Sequence, residues 1–99
     1  MPKHAEQYLQ KSGDKEILAE LPLLEFEESW FNYLITDDRL TIFQAYGNHL
    51  AIEHRAHMLA QELKLPYIRY ATTNKGKASA RLFGGKIIGH IIEVKTWAQ

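Results

Sequence analysis

The chain has 99 residues, 45% of them hydrophobic, with no cysteine and a formal net charge of zero. That length fits a single domain spanning 1–99, and the missing thiols exclude a disulfide scaffold, a thiolate zinc site and a cysteine nucleophile. No window reaches the roughly 18 apolar residues of a membrane span, and the polar stretch from Met1 to Gln10 lacks the apolar core of a signal peptide, so a cytoplasmic protein without membrane contact is expected.

Residues 3–11 carry Ala5, Tyr8 and Leu9 at helical spacing. Ser12-Gly13-Asp14 interrupts them, and Asp14 is placed to cap a second short helix carrying Ile17, Leu18 and Leu21, which Pro22 ends. Leu23 to Phe26 reads as a short extended piece beside the carboxylates Glu25, Glu27 and Glu28. Trp30 to Thr36 and Leu40 to Tyr46 are β-prone runs joined by Thr36-Asp37-Asp38-Arg39, which is turn chemistry and predicts a hairpin. Gly47-Asn48 closes the second strand, with Asn48 as an N-cap.

His49 to Lys64 carries Ile52, Ala56, Leu59, Ala60 and Leu63 on one face and predicts the strongest helix; Leu65-Pro66 stops it. Tyr67 to Thr72 alternates Ile68 and Tyr70 against Arg69 and Ala71, as a strand does. Asn74 caps a short helix through Phe83, ended by Gly84-Gly85. Lys86 to Trp97 then reads as one long final strand, bent or bulged at Gly89. Helices on a mixed sheet of four or five strands are the expected architecture.

From Asp38 onward this order resembles the C-terminal half of the GNAT superfamily of N-acetyltransferases: strand, glycine-bearing turn, long helix, strand, short helix, final strand. The corresponding text is Leu40 to Tyr46, Gly47-Asn48, His49 to Lys64, Tyr67 to Thr72, Asn74 to Phe83 and Lys86 to Lys95. The tail NKGKASARLFGGKIIGHIIEVK is similar to the family's ending, an Asn followed by a helix, then a glycine and a closing strand. Some compact phage-encoded members share a reduced version of this layout. The resemblance implies an α/β (α+β) fold, a small mixed, mostly antiparallel sheet packed with helices in the order α(α)ββαβαβ. No cofactor is expected; the resemblance implies acetyl-CoA if the family activity is retained.

Family enzymes hold the cofactor pyrophosphate on a loop of the form Arg or Gln, two residues, Gly, one residue, Gly or Ala, at the start of the long helix. Glycine lets backbone N–H groups approach the phosphates, and the helix dipole favours the anion. The residues carried over to that place are Gly47, Asn48, His49 and Leu50. One glycine stands there, ahead of its expected place, and Glu53 adds a negative charge.

Three polar clusters are further candidates. His49, Glu53 and His57 follow at i+4 steps on one helix stripe, and their nitrogen and oxygen ligands suit zinc, although the polar stripe beside a buried face is the commoner meaning and no metal is expected. Arg69, Asn74, Lys75, Lys77, Arg81 and Lys86, near Tyr67 and Tyr70, form a candidate anion or nucleic-acid site. They belong to the basic half of the chain: residues 54–99 hold eight Lys/Arg and two Asp/Glu, whereas residues 1–53 hold four and ten. Glu27, Glu28, Asp37 and Asp38 beside Trp30 form a candidate partner surface; the alternative places Trp30 or Phe31 in the core. Ser12, Ser29 and Ser79 lack a nucleophile setting, and Glu53 or Tyr70 are candidate acid–base groups for acetyl transfer.

The expectation is a small GNAT-like, phage-encoded, non-catalytic protein in the host cytoplasm, acting by protein–protein binding or self-association. The alternatives are a minimal acetyl-CoA-dependent N-acetyltransferase and a nucleic-acid-binding accessory domain.

Overall fold

A computed structural model of the chain describes residues 2–12, 14–71, 86–88 and 91–98. The elements are α1 (Ala5–Ser12), β1 (Leu23–Phe26), β2 (Ser29–Thr36), β3 (Arg39–Tyr46), α2 (His49–Glu62), β4 (Tyr67–Ala71), β5 (Lys86–Ile88) and β6 (Ile91–Lys95). They build one mixed sheet of six strands in the order β1-β2-β3-β4-β6-β5. Only β3 and β4 pair in parallel; the other four pairings are antiparallel. The mixed, mostly antiparallel α+β architecture is thus the expected one.

The long helix forms where the spacing places it. Asn48 caps it, its side-chain oxygen accepting from the Leu50 and Ala51 amides at 2.9 and 3.1 Å. Ile52, Ala56 and Ala60 are buried against Phe31, Leu40, Ile42, Ile68, Tyr70, Ile92 and Val94 of the sheet. The two alanines let the helix lie close to the strands, and each fully buried aliphatic chain adds about 1.5–3 kcal/mol. Leu63, expected on this face, is the C-cap and is exposed, because the helix ends at Glu62 and the chain turns at Lys64 with φ 58°.

α1 and the segment after it lie on the opposite face of β2 and β3. Tyr8 packs on Trp30 with ring centroids 5.1 Å apart, and the Trp30 indole donates to the Lys3 carbonyl at 2.7 Å. The second short helix does not form. Asp14, expected to cap it, accepts instead from the Tyr8 hydroxyl and from Gln44 Nε2, and the Leu18 amide donates to Gln44 Oε1 at 2.9 Å. Tertiary hydrogen bonds from β3 therefore take the groups a helix would have used.

Asp37-Asp38 joins β2 to β3 with Thr36 opposite Arg39, as expected, and Asp37 takes φ 53°. The long final strand is instead two. Lys86, Ile87 and Ile88 face Glu93, Ile92 and Ile91 in antiparallel register, so the apolar run is divided between two paired strands. The helix expected over Asn74 to Phe83, and Gly89, lie outside the described residues. No helix among the described residues is long and apolar enough to cross a membrane.

Candidate functional site: a cleft between β3 and β4

Parallel strands linked by a helix open a crevice beyond their C-terminal ends when they diverge. Among the described residues, β3 pairs with β4 from Arg39↔Tyr67 to Ile42↔Tyr70, and β3 runs on to Tyr46. That last stretch begins at an irregularity. Opposite β2, Asn32 faces Gln44 and Tyr33 faces Ile42, leaving Phe43 as an extra residue. A bulge of this kind bends its strand, leaves the extra residue unpaired and resets which side chains face which way. Ile42 therefore packs under α2, while Gln44 turns to the α1 side and is buried there.

The result is a cleft of about 1030 Å³, ample for a cofactor-sized ligand. Phe43 and Ala45 of β3 and Tyr70 and Ala71 of β4 line its two walls, and Ala51 and Ile52 of α2 contribute apolar surface. Tyr46, Gly47, Asn48 and His49 stand at its mouth, with His4, Tyr8 and Lys11 of the N-terminal segment.

The mouth residues are held in defined ways. Gly47 has φ 126°, and a Cβ there would lie 2.1 Å from Ser29 Oγ and 2.5 Å from Ser29 Cβ, so glycine is required by β2. Gln44 stands three residues before Gly47. Its side chain, however, bonds Asn32, Asp14, the Glu16 carbonyl and the Leu18 amide, which fixes it as a structural hub. Asn48 has taken two of the helix-start amides for its own cap. Gly47, Asn48 and His49 thus shape the cleft mouth, with the helix dipole intact and the amide cradle largely filled by Asn48, whereas Leu50 is exposed and not part of the lining.

Charges around the mouth are mostly compensated. Glu28 lies 2.9 Å from His4 Nε2 and 3.6 Å from Lys3 Nζ; the His4 hydrogen bond, then the Lys3 charge, hold its carboxyl below the usual range. Burial, reinforced by Asp14, pushes the Tyr8 phenol upward. Burial and then the Glu53 charge push the Tyr70 phenol upward as well, so it keeps its proton and can donate but not act as a base.

The other candidates are dispersed. Trp30 is 0% exposed and packed on Tyr8, so it cannot anchor a partner; Phe31 is buried too. Glu27-Glu28 and Asp37-Asp38 sit beyond opposite ends of β2, a strand about 23 Å long by its rise. On α2, His57 is buried, its ring stacked 3.9 Å from Trp97 at 1°, and its Nδ1 accepts from the Trp97 amide at 3.0 Å. That commits it away from His49 and Glu53, and no group of three ligating side chains is found among the described residues. Arg69 shares Glu93 Oε1 with Arg39, each Nε at 2.8 Å. Their hydrogen bonds, Arg69 first, hold the Glu93 carboxyl low. Lys86 opens β5, and Asn74, Lys75, Lys77 and Arg81 lie outside the described residues.

Sequence reasoning missed the bulge at Phe43, the Ser29 contact that demands Gly47, and Lys11 at the cleft mouth. No local signal marks a bulge between two good β-formers, and α1 reaches the mouth only through tertiary packing. No protein-family model matches the chain, and neither a curated protein nor a solved structure does.

Proposed function

We propose that the chain is a GNAT-like domain that binds a coenzyme A-type cofactor in the cleft between β3 and β4, as a binding protein and not by turnover. The observation that carries this reading is the bulge at Phe43, which places Phe43, Ala45 and Tyr46 of β3 along one wall of the cleft. An extended ligand bearing amide groups can add to the edge of a strand as another strand would. A pantetheine arm has this shape and chemistry, and the apolar walls from Ala51, Ile52 and Ala45 suit its methylenes. The order strand, helix, parallel strand, then a return strand inserted beside it agrees with the resemblance drawn from Asp38 onward.

The reading assigns no catalytic residue. Transfer of an acetyl group to an amine needs a base, and the Tyr70 phenol, its pKa raised, does not supply one. The test is a thermal melt with and without coenzyme A. Binding to the folded state at a hundredfold excess over Kd adds about 2.7 kcal/mol, which for a domain of this size raises Tm on the order of 10 °C. An unchanged midpoint at millimolar ligand ends the reading.

A second reading, self-association, draws on the outer face of α2. Leu50 is 71% exposed, Met58 46% and the neighbouring Trp97 45%, a poorly charged face on a helix otherwise in water. A net charge of zero does not oppose contact between two copies. Sedimentation at about 100 µM distinguishes the two: a dimer broken by Met58→Lys supports this reading, and a monomer at that concentration removes it.

A further inference from the structure

Building on the cofactor reading, we infer that Lys11 of α1, above the ring of Tyr46, receives the phosphate-bearing end of the ligand. It takes over a task that the helix-start amides of α2 no longer fill. Lys11 and the Gly47–His49 turn line the same cleft. The Lys11 ammonium lies 6.0 Å from the Tyr46 ring centroid, at the outer limit of a cation–π contact, so little holds it against swinging to an anion. Tyr46 is fixed from its other neighbour, His4, whose ring centroid is 5.4 Å away.

Among the described residues that line the cleft, Lys11 is the lone lysine or arginine. His4 and Lys3 are engaged by Glu28, and Asp14 is engaged by Tyr8 and Gln44. The Asn48 side chain accepts the Leu50 and Ala51 amides, so a phosphate arriving there meets the helix dipole with few free donors. A lysine on a flexible four-carbon stem supplies the missing point charge. Glu27, also on the cleft wall, opposes it, which fixes the sign of a second variant.

The experiment is calorimetric titration at low salt with three probes: coenzyme A, adenosine 3′,5′-bisphosphate as the charged head alone, and pantetheine as the uncharged arm alone. Lys11→Glu and Lys11→Met are expected to weaken coenzyme A and the bisphosphate about tenfold or more, Lys11→Arg to retain them, and all three to leave pantetheine unchanged. Glu27→Gln is expected to tighten the two charged probes. Lys11 is exposed on the last turn of α1, and ligand-free melts of each variant check that the fold is kept. If coenzyme A binds Lys11→Glu as tightly as the original chain, the role of Lys11 is overturned and the cofactor reading stands. If the original chain binds neither coenzyme A nor pantetheine, the cofactor reading falls and this inference with it.

Discussion

Gly47 shows how a single residue is fixed by a neighbour far away in sequence. The glycine stands where the family resemblance expects phosphate contact, but its φ of 126° and its approach to Ser29 are demands of packing. Gly47→Ala sets a methyl 2.1 Å from a hydroxyl oxygen and forces a left-handed backbone on an L-residue, so a loss of about 2–3 kcal/mol is expected. Gly47→Ala combined with Ser29→Gly should recover much of it; equal losses in the single and double variants, measured in urea, would show that the close approach is unimportant.

His57 carries the clearest pH dependence. Burial pushes its pKa from 6.5 down to about 4, and in the neutral ring Nδ1 accepts the Trp97 amide. The unfolded chain takes up the proton first, so the contribution is fully present above pH 6.5. It is lost progressively as pH falls towards 4, by up to roughly 3 kcal/mol. Trp97→Ala, which uncovers the ring, should flatten that slope. A stability curve with no extra fall between pH 6.5 and 4 that disappears in Trp97→Ala would contradict this assignment.

Among the elements, those with their own periodicity were legible and those decided by partners were not. α2 is written in Ile52, Ala56 and Ala60 and in the Asn48 cap, and the β2–β3 hairpin in Asp37-Asp38. The lost second helix had equally good local signals in Asp14, Ile17, Leu18 and Leu21. It fails because Gln44 captures the Leu18 amide and shares Asp14 with Tyr8, contacts 26 and 30 residues away. The split of the final strand is hidden for a similar reason, since Ile87 and Ile92 look alike whether a run continues or folds back on itself. Gln44 is therefore the residue on which the α1 side depends. Gln44→Leu leaves Asn32, buried at 0% exposure, without its partner and should cost about 2–4 kcal/mol. It should also release the segment around Leu18. Amide exchange at Leu18 as slow in the variant as in the original chain would refute that role.

For the molecule at large, the described residues of the acidic and basic halves of the chain share one sheet. Arg39 from the first half and Arg69 from the second meet on Glu93, because the parallel β3–β4 pair stitches the halves through the middle of the sheet. The fold class was readable from the order of hydrophobic periods, since any helix between two strands must cover the sheet they share. The site was not. Of the cofactor-binding residues expected from the resemblance, Gly47, Asn48 and His49 do line one cleft. The cleft itself, however, lies beside the bulge at Phe43, and a bulge depends on register, which no single strand's sequence records.

The most direct measurement is an amide NMR titration of the labelled protein with coenzyme A. Shifts concentrated at Phe43 to Tyr46, at Gly47 to Ile52 and at Tyr70 and Ala71, saturating with one equivalent, are the result expected of a ligand lying along the β3 wall of the cleft. A spectrum unchanged at millimolar coenzyme A, or shifts confined to the outer face of α2 around His54 and Met58, would contradict the account.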